Sequence, residues 1–149
     1  MEFETKMQQE VYEKIDPWMK EMFGIFVKKR EDAPYFGINI GSAFVHVGVH
    51  PWGEESATIT ARAYVAFNVS ITPDLMEFLL RENDVMRFGA FGLDKDHDIF
   101  FEHTIVGNSC EIEALKSSVL AVGYAVDQYD DTIVTRWGGV RASEVDELS

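Results

Sequence analysis

Residues 57–71, Ala57-Thr58-Ile59-Thr60-Ala61-Arg62-Ala63-Tyr64-Val65-Ala66-Phe67-Asn68-Val69-Ser70-Ile71, decide the fold. Ile59, Ala61, Ala63, Val65, Phe67, Val69 and Ile71 fall on one side of an extended chain. Thr58, Thr60, Arg62, Tyr64, Asn68 and Ser70 fall on the other, with Ala66 the one apolar exception. Period-two alternation with one dry and one wet face marks a strand of an antiparallel sheet covered by helices on one side. Upstream, residues 36–50 read as two further strands joined at Gly41-Ser42. Ala43, Val45, Val47 and Val49 face one way, and Phe44, His46, Gly48 and His50 the other. Downstream, Thr72-Pro73-Asp74 gives a cap, a first-turn proline and an acid at the positive end of the helix dipole. Leu75, Phe78, Leu79 and Val85 supply the apolar side of that helix.

The flanks complete the pattern. Phe3, Met7, Val11, Ile15, Trp18, Met22 and Phe26 recur every three or four residues, so residues 3–30 read as helix. Asp16-Pro17 predicts two helices or one kinked helix, and Lys28-Lys29-Arg30 fits a helix C-terminus. Residues 86–93 and 98–106 read as a hairpin around Asp94-Lys95-Asp96-His97-Asp98. Asn108 and Glu111 have capping-box spacing, opening a final helix that ends at Gly138-Gly139. From Cys110 to Trp137 it would be roughly 40 Å long at 1.5 Å per residue. The expectation is an α+β fold in which a helix, three strands, a helix, two strands and a long helix follow in order. Residues 1–140 form one unit, and 141–149 form a short acidic tail that frays.

Composition narrows the function. The chain has 149 residues and a formal charge of −13, a field that repels nucleic-acid phosphates and anionic membrane surfaces and attracts basic polypeptides. No apolar run approaches the ~20 residues of a membrane span, and the acidic start lacks signal-peptide character. One cysteine, Cys110, excludes an intramolecular disulfide, and a cytoplasmic location follows. His46 and His50 sit four residues apart on a strand, roughly 13 Å, too far for one zinc ion. Asp94, Asp96 and Asp98 open like a calcium loop, but Ile99 and Ile105 stand where glycine and glutamate are needed. No catalytic residue, metal site or cofactor is therefore expected. The alternative is a small-molecule binder or enzyme using Cys110, in the first turn of the last helix, or the histidines. The aromatic residues point elsewhere. Trp18, Phe44 and Trp52 lie near breaks, turns or the wetter strand face, and with Met22 they are candidates for a peptide-binding surface.

The second half carries a resemblance. Phe91-Gly92-Leu93-Asp94, the run from Asp98 to Gly107, Asp130-Asp131 and Arg136-Trp137-Gly138-Gly139 resemble the YbjN-like proteins of bacteria. The order of elements is similar to the class I type III secretion chaperones. The resemblance implies a small acidic homodimer without catalytic motif, which holds an extended segment of a client protein without ATP. It places the dimer contact on the second helix and an adjoining strand, here Leu75, Phe78, Leu79 and the segment from Phe88 through Phe91 to Leu93.

Overall fold

The computed structural model describes residues 1–145, so the last residues of the expected tail, 146–149, lie outside the described residues. The strands are β1 (Lys28–Lys29), β2 (Tyr35–Ile40), β3 (Ala43–Trp52), β4 (Ser56–Phe67), β5 (Ala90–Leu93), β6 (Ile99–Val106) and β7 (Val140–Arg141). They form one antiparallel sheet in the order β1-β2-β3-β4-β6-β5, with β7 beside β4. Among the described residues the α-helices are α1 (Lys6–Phe23), α2 (Pro73–Val85) and α3 (Ile112–Trp137).

β4 holds the centre because its alternation gives an unbroken dry face. Ala57, Ile59, Ala61, Ala63 and Val65 are buried, and β3 matches them with Ala43, Val45, Val47 and Val49. α1 and α3 cover this face, with Val11, Ile15 and Met19 from α1 and Leu115, Val119, Val122 and Val126 from α3 in the same core. The alternation stops earlier than expected. A register shift between Tyr64 and Ala66 turns Ala66 inward and puts Phe67 on the opposite face, stacked on Tyr64 at 5.3 Å. Asn68, at φ 56°, ends the strand.

α1 is a single helix capped by Thr5 Oγ1, which accepts from the Gln8 N–H, and Pro17 lies inside it. It ends at Phe23 because Gly24 takes φ 60°, a conformation open to glycine at little cost. Residues 24–26 make one 3-10 turn, and Lys28–Lys29 form an edge strand instead of a helix C-terminus. α2 begins as expected, with Thr72 Oγ1 accepting from the Leu75 N–H. Val85, expected inside, points to solvent. α3 starts after Glu111, with no side-chain cap. Asn108 instead serves the start of β4: its Oδ1 accepts from the Ala57 N–H at 3.0 Å, and its Nδ2 donates to Glu55 O. Past α3, residues 138–145 stay on the sheet. Val140 and Arg141 pair with Phe67 and Ala66, Ala142 is buried, and Arg141 bridges Asp131 and Glu144.

Candidate peptide-binding surfaces

Two sheet edges are incomplete, and hydrogen-bond parity says where. The Arg30 N–H donates to Tyr35 O at 3.1 Å. In an antiparallel ladder, alternate residues turn their backbone groups to the same side. Tyr35, Gly37 and Asn39 therefore face outward from β2. Among the described residues, β1 lies beside only Phe36 and Gly37, and no strand covers Asn39. On the other side, the Asp94 N–H donates to Asp98 O at 3.1 Å, so even-numbered residues of β6 face β5. β5 ends at Ala90, opposite Glu102, and among the described residues no strand lies on that side of Thr104 and Val106. Uncovered edge groups are a template for an extended chain.

The chain beside the β2 edge is unusually open. Ile25 and Phe26 are 93% and 70% exposed. Trp18 and Met22, on the preceding turns of α1, are half-buried against the core, with Lys14 Nζ 5.6 Å from the Trp18 ring. Phe44 stands on the face of the sheet away from the helices, covering Gly37, 4.8 Å from the His46 ring. Trp52 is 71% exposed at the far end of β3. Of the peptide-binding candidates, Trp18 and Met22 thus lie on α1, Phe44 on the open face and Trp52 apart. Ile25 and Phe26 were missed. Helical periodicity assigns Phe26 to the buried stripe, and only the break at Gly24 turns it outward.

The open face holds two shallow hollows, of about 450 and 560 Å³, that share His46 and Tyr64. Arg62 crosses this face, paired with Glu102 at 2.7 Å and stacked over Phe100 at 3.8 Å. The polar hairpin tip joins it, because Tyr64 Oη donates to Asp94 Oδ2 while Asp94 Oδ1 accepts from the N–H groups of Asp96 and Asp98.

The residues expected at a dimer contact divide. Leu75, Leu79 and Phe91 are buried within the chain's own core. Phe78 packs on Trp137 at 5.1 Å, and Phe88 is exposed with its ring 5.1 Å from His103. The apolar flank that α2 leaves outward is Met76, Leu80 and Val85.

The groups with latent chemistry are occupied structurally. Cys110 is buried, burial raises its thiol pKa, and its Sγ–H donates to Glu111 O. His103 Nδ1 lies 2.8 Å from Ser118 Oγ beneath α3. Among the described residues, no group of three acidic, histidine or cysteine side chains could hold a metal ion, and no helix is long and apolar enough to cross a membrane.

Burial lowers the pKa of His50 and of His103. The unfolded chain, with histidines near 6.5, then binds more protons than the folded chain in the window just below that value. The stability these histidines contribute is complete above about pH 6.5 and is lost as pH falls through the lowered folded values. The urea midpoint should therefore drop between about pH 7.5 and pH 5.5, and His103→Gln should flatten part of that slope. An unchanged slope in the variant would remove His103 from the account.

Solved structures share this architecture. A HopA1–SchA chaperone–effector complex contains a chain with TM-score 0.61 and 9% identity, covering 83% of this chain and 96% of that one. The Yersinia pestis type III secretion chaperone SycH, solved with a fragment of YscM2, gives 0.55 and 17%, covering 83% and 98%. The ExsC–ExsE complex gives 0.62 and 11%, covering 85% and 96%. No curated protein matches the sequence. A family model does match, over residues 9–145. The chain belongs to the family described as T3SS (YopN, CesT) and YbjN peptide-binding chaperone 1.

Proposed function

We propose that the protein is a cytoplasmic, non-enzymatic adaptor that holds an extended segment of a client polypeptide and acts as a homodimer. The observation that carries this reading is the β2 edge, covered by a two-residue strand and flanked by exposed Ile25 and Phe26. An extended peptide there gains main-chain hydrogen bonds from the sheet and side-chain contacts from the apolar residues beside it. The excess of acids favours basic client segments and speeds their encounter. For the dimer, the exposed flank of α2 with Phe88 offers a self-complementary apolar strip of the kind a twofold contact uses.

The test is an array of overlapping short peptides probed with the purified chain. Segments mixing apolar and basic residues should retain it, and Ile25→Asp with Phe26→Asp should lower that retention about tenfold, the loss of two apolar contacts of roughly 0.8 kcal/mol each. An array that retains nothing, or retains acidic segments equally well, overturns the reading.

A further inference from the structure

Residues 24–33 cross the edge of the sheet as a strap. Every residue from Gly24 to Asp32 is exposed except half-buried Val27. The β1 pairing, the Arg30 N–H to Tyr35 O, Arg30 6.0 Å from the Tyr35 ring, Val27 packed against the core, Lys28 Nζ 5.5 Å from the Phe44 ring, and Lys29 Nζ 2.8 Å from Asp16 Oδ2 hold it. Lys29 also lies 5.9 Å from the Tyr12 ring.

The strap fits this lane poorly. Among the described residues, the buried side-chain polar atoms with no hydrogen-bond partner are Tyr12 Oη and Asp16 Oδ1. Both belong to the joint that Lys29 makes with α1, and Tyr12 is 6% exposed. The joint rests on the single Lys29–Asp16 pair, whose side chains are 38% and 26% exposed. The strap is also too short, since among the described residues no strand pairs with the outward backbone groups of Asn39.

We infer that the lane beside β2 is the acceptor for a client strand, that the chain's own residues 27–33 occupy it in competition while Ile25 and Phe26 stay beside it, and that the Lys29–Asp16 ion pair is the latch. This rests on the peptide-binding reading. The occupant is an extended peptide with a lysine or arginine placed to face Asp16 and a neighbouring residue lying on Phe44. Five residues, roughly 17 Å at 3.4 Å each, would run the length from Tyr35 to Asn39. A basic residue is favoured because Asp16 is the carboxylate that Lys29 pairs in the resident strap and because the −13 chain attracts cations. The strap competes at the high effective concentration of a tethered segment, so a free peptide binds weakly until the latch is loosened.

The probe is the strap itself as a labelled synthetic peptide, Gly-Ile-Phe-Val-Lys-Lys-Arg-Glu-Asp-Ala, titrated by fluorescence anisotropy into the full chain. Lys29→Ala loosens the resident strap and leaves Asp16 for the peptide's lysine, so the peptide should bind about threefold tighter than to the unsubstituted chain, the scale of a partly exposed ion pair. Asp16→Asn weakens strap and peptide alike, so affinity should not rise. Strap opening is read separately, by trypsin cleavage after Lys28, Lys29 and Arg30. Asp16→Asn should be cut about threefold faster with its melting temperature unchanged. Equal peptide affinity for Lys29→Ala and the unsubstituted chain, or equal cleavage of Asp16→Asn, overturns the inference. A chain that still retains array peptides under that outcome keeps its peptide-binding role and loses only this lane. A chain that retains none loses both.

Discussion

Phe101→Ala is expected to remove about 3–5 kcal/mol of folding free energy, the range for deleting a fully buried phenylalanine. Phe101 is 1% exposed, on the covered face of β6, with the Phe91 ring edge-on at 5.0 Å. Two features keep the cavity from closing. β6 is laddered on both sides at this position, to Ala63 of β4 and to Phe91 of β5, so the backbone cannot move in. Gly89, at φ 77°, already lies against the Phe101 ring and the Glu102 carbonyl, and has no side chain to swing into the space. Typical domains are stable by about 5–15 kcal/mol in total, so the loss is a large fraction. Urea denaturation followed by tryptophan fluorescence should show a lower midpoint at unchanged slope. A loss below about 1.5 kcal/mol would mean that the neighbours repack and that the wall is softer than this geometry implies.

The sheet was legible in the sequence because alternation is a local signal. Ala57 to Val65 and Ala43 to Val49 declare their buried face residue by residue, and Thr72-Pro73-Asp74 declares a helix start. The misreadings arise where a second element decides. Alternation alone carries the strand past Val65, and the shift at Tyr64–Ala66 that stops it exists only against β6. Capping-box spacing makes Asn108 a cap for α3, but its amide is drawn to Glu55 and Ala57 across the sheet edge. On α2, Leu75 and Leu79 alternate with Met76 and Leu80 as two adjoining apolar rows. Periodicity cannot say which row faces its own core, and the packing of Phe78 on Trp137 settles it. The candidate edge was the least legible part, because unpaired backbone groups are a property of strand partners and leave no trace in side-chain identity.

Leu80→Asp is expected to weaken the proposed dimer by more than a hundredfold while leaving each protomer folded. Leu80 is 67% exposed in the protomer, so a carboxylate there stays solvated and should shift stability by no more than about 0.5 kcal/mol. The helix keeps its seat regardless. Leu75 and Leu79 are buried beneath it, the Tyr129 hydroxyl donates to Glu82 at 2.8 Å, and Arg136 reaches Asp74 at 3.7 Å. In a twofold contact across Met76, Leu80 and Val85 the substitution acts twice, once from each copy. Burying a carboxylate among apolar groups costs several kcal/mol, and each 1.4 kcal/mol is tenfold in affinity. Leu75→Ala supplies the contrast: it should cost about 2–5 kcal/mol of protomer stability through the cavity it leaves, with the association of the surviving folded chains unchanged. Sedimentation velocity over a concentration series, with thermal melts of the same samples, separates the two effects. If Leu80→Asp sediments as the unsubstituted chain does at every concentration, the copies do not meet through this flank of α2.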